Sequence, residues 1–119
     1  MTCSQIRCLL TVLELSRERG KGAGIASKDI ADRMEISRPS VHRLLDCLDK
    51  AGYIIKIYYG PVLLTDAGRE EAERLELRCR HMADSLALRY EISRSECESA
   101  ALLLMSGLRE DSLAVIEGA

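Results

Sequence analysis

The sequence contains no tryptophan and no phenylalanine, and only four tyrosines among its 119 residues. Proteins that bind single-stranded nucleic acid without sequence preference stack the bases on aromatic side chains. A chain with so few aromatic rings lacks such a stacking platform. We therefore do not expect a protein that binds nucleic acid by stacking its bases.

Long apolar runs and secretion features are missing as well. No stretch approaches the roughly 20 apolar residues that a membrane-spanning helix needs, and no charged segment precedes an apolar one at the N-terminus. The five cysteines are odd in number, widely spaced and without a C-x-x-C motif. We expect a cytoplasmic protein whose cysteines are reduced and mostly packed as small apolar residues.

Familiar catalytic motifs are also absent. The two histidines, His42 and His81, fall on different predicted helices, and neither G-x-S-x-G nor H-E-x-x-H occurs. The Gly-rich segment Arg19–Gly24 contains GKG but not the phosphate-binding pattern G-x-x-x-x-G-K-[ST]. We therefore expect that the protein is not an enzyme.

The composition is that of one folded domain. Apolar residues make up 47% and charged residues 30%, enough at this length for a sizeable core. Residues 1–66 carry 10 basic and 8 acidic side chains, whereas residues 67–119 carry 7 and 11. This asymmetry is compatible with a nucleic-acid face in the N-terminal half, but it is too small to predict one by itself.

Apolar periodicity, capping residues and turn residues together predict the secondary structure. Ser27 is expected to cap the second helix, and Gly52 to end the third. A capping-box pattern at 93–96 is expected to open the fifth helix. The predicted elements are helices at about 2–18, 28–34 and 38–51, strands at 53–58 and 62–64, and helices at about 66–90, 94–106 and 111–116.

The long fourth helix carries a narrow apolar seam. Such a seam predicts packing against another long helix, either of this chain or of a partner. The seam consists of Ala72, Leu75, Cys79, Met82, Leu86 and Tyr90.

The order of the elements defines the predicted fold. A short helix, a turn, a second helix and a two-stranded hairpin are typical of a winged helix-turn-helix. We predict a mainly α protein with three helices and a two-stranded wing, followed by C-terminal dimerisation helices. Residues 1–66 would form the DNA-binding domain, and residues 67–119 the helical dimerisation region, with the first helix contributing.

In this fold the helix at about 38–51 enters the major groove, and the wing at 53–64 lies on the backbone. The apolar stripe of this helix, Val41, Leu44, Leu45 and Leu48, would face the core. Arg43 is the best candidate base reader, because a guanidinium binds guanine O6 and N7 bidentately. The further candidate DNA contacts are Ser37, Arg38, Ser40 and His42 on the helix, and Lys28, Lys50, Lys56 and Tyr58 for phosphates.

The segments SKDIADRMEISRPSVHRLLDCLDKAGYI and YYGPVLLTDAGREEAERLELRCRH resemble the iron- and manganese-dependent repressors of the diphtheria-toxin-repressor and manganese-transport-regulator family. The resemblance covers roughly residues 6–116 and is strongest from Ser27 to His81. It implies a homodimer that represses transcription from a palindromic operator when a divalent metal is bound. By position, Ser37, Pro39, Ser40 and Arg43 match the family's DNA contacts, and His81 matches a metal-ligating histidine.

The ligand positions of that family are mostly changed in this chain. Matching its first and fifth helices places Arg7, Leu10 and Leu102 at ligand positions, and these side chains do not coordinate a cation. A rearranged site for Mn, Fe or Zn would have to use other donors. His81 and Asp84 share a helix face, and the remaining candidate donors are Glu96, Cys97 and Glu98 at the start of the fifth helix.

Two questions remain open from the sequence. The regulator could sense a metal, thiol oxidation, a small ligand or no ligand at all. The winged helix could alternatively dock a protein partner instead of DNA, since the basic excess of residues 1–66 is modest.

Overall fold

The computed structural model describes residues 1–57 and 60–118 of the chain. These residues form six α-helices and two short β-strands. In chain order the elements are α1 (Cys3–Arg19), α2 (Ser27–Met34), α3 (Arg38–Lys50), β1 (Ile54–Lys56), β2 (Val62–Leu64), α4 (Asp66–Arg89), α5 (Arg94–Gly107) and α6 (Glu110–Glu117). The predicted mainly α winged-helix fold is confirmed.

Local capping determines where most of the helices begin. The hydroxyls of Thr2, Ser37, Thr65 and Ser93 each accept a hydrogen bond from a backbone N–H in the first turn of the helix that follows. The prediction that Ser27 caps α2 is wrong, because Ser27 is the first helical residue and the N-cap, Ala26, offers no side-chain bond. Gly52 ends the α3 segment with a positive φ of 83°.

The wing is a two-stranded antiparallel sheet that is also tied to the body of the domain. Ile54 pairs with Leu64, and Lys56 pairs with Val62. Ile25, in the segment between α1 and α2, exchanges two 2.8 Å backbone hydrogen bonds with Val62. The base of the wing is therefore held by the helical body as well as by its own pairing. The predicted strand residue Tyr58 and turn residue Tyr59 lie outside the described residues.

The main core lies between α1 and the helix-turn-helix. Leu9, Val12 and Leu13 of α1 are fully buried together with Val41 and Leu45 of α3. Ala72 and Leu75 at the start of α4 belong to the same cluster. The seam of α4 therefore packs against helices of its own chain, α1 and α5, except that Tyr90 follows the helix and is 57% exposed.

A second cluster joins the three C-terminal helices. Met82 and Ala83 of α4 pack with Cys97 and Ala101 of α5 and with Leu113 of α6. Among residues 1–57 and 60–118, no helix combines the length and the apolar character that crossing a membrane requires.

Candidate nucleic-acid interface

Helix α3 has one face in the core and one face in solvent. Val41, Leu45 and Leu48 are buried, and Leu44 is half-buried, as the helical spacing predicts. The opposite face presents the predicted reading residues, of which Arg38, Pro39, His42 and Arg43 are exposed and Ser40 is half-buried. The helix is held by the core without using the side chains that would contact DNA.

A short chain of hydrogen bonds organises the N-terminal end of this face. The Ser37 hydroxyl donates to Ser40 Oγ at 2.9 Å, and the Arg43 guanidinium donates to the same Ser40 oxygen at 3.3 Å. Ser37 Oγ also accepts the 3.3 Å cap bond from the Ser40 N–H. The three side chains, one turn apart along the helix, therefore hold one another in place.

Four of the five Lys and Arg side chains in the helix-turn-helix, residues 27–50, are not neutralised by neighbouring acidic groups. The exception is Arg33 of α2, which pairs with Glu14 and Glu18. The other four make no ion pair with any residue in 1–57 or 60–118; they are Lys28, Arg38, Arg43 and Lys50. Unpaired surface cations on one motif are what binding to a phosphate backbone requires.

Lys56 of β1, a predicted phosphate contact, is engaged with Asp46 of α3 at 2.5 Å. The Lys56 ammonium, through this hydrogen bond and its charge, lowers the pKa of the Asp46 carboxyl. The pair therefore links the wing to the recognition helix. The sequence alone does not reveal this role of Asp46, since no local pattern marks a contact between two elements.

A cavity of about 430 Å³ lies between α3 and the wing. His42 and Lys56 line it together with Ser27 at the start of α2. An imidazole, an ammonium group and a hydroxyl are side chains that bind phosphate oxygens in protein–DNA complexes. The structure thus brings together three residues from separate elements, although only Lys56 and His42 were predicted contacts. Tyr58, the remaining predicted contact, lies outside the described residues.

The predicted metal ligands are dispersed. His81 is exposed on α4, whereas Cys97 is fully buried in the second cluster. Asp84 and Glu98 both bind the guanidinium of Arg94, at 2.5 and 3.3 Å. Glu96 is exposed in the first turn of α5.

Within 1–57 and 60–118, no three or more His, Cys, Asp or Glu side chains form a group that could hold a metal ion. Two of the five predicted ligands are already bound to a cationic side chain, which would compete with a metal for the same oxygens. The residues as arranged do not fit a metal site, and metal dependence stays a prediction.

The cysteines differ in their suitability for redox chemistry. Burial raises the pKa of the Cys8 thiol to about 12. Burial, and then the neighbouring Glu98 carboxylate, raises the pKa of the Cys79 thiol. Since the thiolate is the reactive form, neither position favours oxidation at neutral pH. Cys47, on α3, is exposed.

Residues 9–56, from α1 to the end of β1, match the IclR helix-turn-helix domain. This segment contains the three helices of the predicted DNA-binding unit and the first strand of the wing. No curated protein matches the chain.

Two solved structures are similar to this chain over nearly all of its length. A hypothetical protein of Sulfolobus solfataricus aligns with a TM-score of 0.70 and 18% identity, covering 99% of this chain and 88% of that one. IdeR from T. acidophilum aligns with a TM-score of 0.62 and 24% identity, covering 92% of this chain and 51% of IdeR. The chain thus spans about half the length of IdeR. Identities this low establish similarity of fold alone.

The winged helix-turn-helix, its polar reading face and the match to the IclR helix-turn-helix domain define the class of this protein. They support a DNA-binding transcriptional regulator.

Proposed function

We propose that the protein is a homodimeric, sequence-specific transcriptional repressor that inserts α3 into the major groove of a palindromic operator. Arg43 would read a guanine, and Ser40, which accepts a hydrogen bond from it, would position its guanidinium. Lys28, Arg38 and the residues of the cavity between α3 and the wing would bind phosphates on either side.

The observation that carries this proposal is the set of four cations on the helix-turn-helix without an ion-pair partner in the described residues. Several arginines outside the helix-turn-helix, by contrast, are held in ion pairs, such as Arg17 with Glu76 and Arg78 with Glu110. A surface made to bind DNA keeps its cations available, because each phosphate contact releases a bound counterion.

The decisive experiment compares Arg43→Ala with the unaltered protein on an operator selected from a random duplex library. Loss of one bidentate arginine–guanine contact is expected to cost about 1–3 kcal/mol and to relax specificity at one base pair of each half-site. Fluorescence anisotropy at several salt concentrations would measure both the affinity and its salt slope.

Arg89→Ala is the matched control, since Arg89 is an exposed arginine on α4, away from the helix-turn-helix. It should leave affinity and specificity unchanged. If the library yields no preferred sequence, or if Arg43→Ala binds as well as the unaltered protein, DNA reading by α3 is wrong. The winged helix would then be better explained as a docking module for a protein partner.

Exposed apolar side chains on the C-terminal helices support the homodimer. Leu88 on α4 is 86% exposed, Leu103 on α5 is 64% exposed and Val115 on α6 is 72% exposed. Covering these three side chains in a dimer would remove apolar surface from water, which is favourable. Sedimentation of the purified chain is expected to give a dimer that Leu88→Glu together with Leu103→Glu dissociates; a monomer before mutation would contradict it.

A further inference from the structure

A second cavity, of about 300 Å³, opens where α1, α4 and α5 meet. None of its lining residues belongs to the candidate nucleic-acid interface. Leu10 of α1 and Leu102 of α5 are half-buried against the main core and form its apolar part. We call this cavity the α1–α4–α5 cleft. Its volume lies at the lower end of the range that small ligands occupy.

Charged groups of both signs surround the apolar part. Arg80 and Glu76 line the cleft from α4, and Arg94 and Glu98 line it from α5. Glu76 is already bound by Arg17 at 2.7 Å. Arg80 makes no ion pair and no side-chain hydrogen bond with residues 1–57 or 60–118.

Glu98 also keeps free hydrogen-bonding capacity. Its Oε1 accepts a 3.3 Å bond from Arg94 Nε, and its second oxygen has no side-chain donor among the described residues. The cleft therefore offers a group of donors at Arg80, an acceptor at Glu98 and an apolar surface at Leu10 and Leu102.

We propose that the α1–α4–α5 cleft binds an apolar α-amino acid as its zwitterion. The ligand carboxylate would bind the Arg80 guanidinium, which matches it bidentately. The ligand ammonium would bind Glu98, and the apolar side chain would cover Leu10 and Leu102. A simple carboxylic acid would add no donor to the second oxygen of Glu98, and a simple amine would leave the Arg80 guanidinium without a partner.

The position of the cleft gives such a ligand a route to the recognition helix. Helix α4 runs without interruption from the cleft back to its cap, Thr65. There the Thr65 hydroxyl donates to the Gly52 carbonyl at 2.7 Å, and the Thr65 N–H donates to the Tyr53 carbonyl at 3.1 Å, directly after α3. A ligand that shifts α4 against α1 would shift the exit of α3; this regulatory consequence rests on the proposed function.

The binding step itself is tested without DNA. L-leucine, L-isoleucine and L-methionine are titrated into the full chain and followed by calorimetry and by NMR shifts of the Leu10 and Leu102 methyl groups. At least one is expected to bind. The analogues 4-methylpentanoate and isoamylamine, which each lack one charged group of leucine, should bind at least about ten-fold more weakly. Arg80→Gln and Glu98→Gln should each lower the affinity for the amino acid by a similar factor.

Arg89→Gln, on the same helix but outside the cleft, should bind as the unaltered protein does. The proposal is overturned if none of the three amino acids binds, if 4-methylpentanoate binds as tightly as leucine, or if Arg80→Gln leaves the affinity unchanged. Arg80 is exposed, so its replacement should leave the fold intact. Operator affinity is then measured with and without the amino acid, so that failure of DNA binding and failure of ligand binding are seen separately.

Discussion

Ser37 combines a structural and a functional role in one side chain. Its hydroxyl oxygen caps α3, and the same hydroxyl donates a hydrogen bond to Ser40 Oγ. Ser40 Oγ in turn accepts a hydrogen bond from Arg43. The stability of the helix end and the position of the proposed base reader therefore depend on the same residue.

We predict that Ser37→Ala lowers the free energy of unfolding by about 1 kcal/mol, the usual cost of a lost N-cap. It should also weaken operator binding, since Ser40 and Arg43 lose an ordered neighbour. Ser99→Ala, at an exposed position inside α5, is the control and should leave stability unchanged or slightly raised. Urea unfolding measures the free energy of unfolding of both variants. Equal free energies for Ser37→Ala and Ser99→Ala would argue against the cap.

Gly68 shows how closely α4 approaches the base of the wing. A Cβ at this position would lie 1.9 Å from the carbonyl oxygen of Tyr53, which is backbone and cannot turn aside. A Cβ added at Gly107, the last residue of α5, would meet no atom of another element within 4 Å.

We therefore expect opposite effects from the same substitution at the two glycines. Gly68→Ala should destabilise the fold by about 3 kcal/mol, because it forces α4 away from Tyr53. Gly107→Ala should stabilise it by up to about 1 kcal/mol through helix propensity. Thermal unfolding of both variants gives the comparison; a tolerated Gly68→Ala would mean that α4 does not enter at the position seen here.

At the scale of elements, α6 is held against α4 by Arg78, by a hydrogen bond from the Ser85 hydroxyl to the Ile116 carbonyl at 2.9 Å, and by the packing of Leu113. Arg78 donates to Glu117 at 2.7 Å and also to Glu110, so that it binds both ends of α6. The hydrogen bond and charge of Arg78 lower the pKa of the Glu110 carboxyl. A carboxyl whose pKa is lowered in the folded state stabilises that state at pH values above the ordinary pKa of a carboxyl. This contribution is lost as the pH falls through the pKa of the folded state.

We predict that α6 loosens as the pH drops below about 4, the ordinary range of a glutamate. Amide hydrogen exchange in residues 110–117, corrected for the intrinsic pH effect, should speed up there while exchange in α1 does not. Arg78→Met should speed up exchange in α6 by about ten-fold at neutral pH and remove the acid effect. Unchanged exchange in the variant would show that the packing of Leu113 and the hydrogen bond from Ser85 to Ile116 are enough to hold the helix.

At the scale of the whole molecule, the metal hypothesis is the one that the structure supports least. Leu10 and Leu102, at positions where the resembled family has ligands, line a cleft that also holds the guanidinium groups of Arg80 and Arg94. These two cations repel a metal ion, and the carboxylates of Glu76 and Glu98 in the same cleft each already pair with an arginine.

We therefore expect that chelation leaves operator affinity unchanged, and that adding back Mn, Fe or Zn one at a time does not raise it. Anisotropy titrations on metal-free protein measure this directly. If binding instead requires a metal, His81 and the segment Glu96–Glu98 become the first ligands to substitute, and α4 and α5 must rearrange to bring them together.

The sequence by itself determined the helices, most of their starting points and the order that makes a winged helix; the cap predicted for α2 was wrong. These features depend on contacts between residues three or four positions apart, as in Ser37 with Ser40 or Thr65 with Gly68. The buried face of α3 followed for the same reason, because helical periodicity alone places Val41, Leu45 and Leu48 on one side.

Only the tertiary structure decided which side chains meet between elements. Lys56 binds Asp46, ten positions away in the sequence, and Arg78 binds Glu117, 39 positions away. Cys97 is buried in the second cluster, whereas its neighbours Glu96 and Glu98 are exposed, and Arg94 binds Asp84 and Glu98. Such contacts depend on how the helices are rotated and crossed against one another, which no local pattern in the sequence specifies.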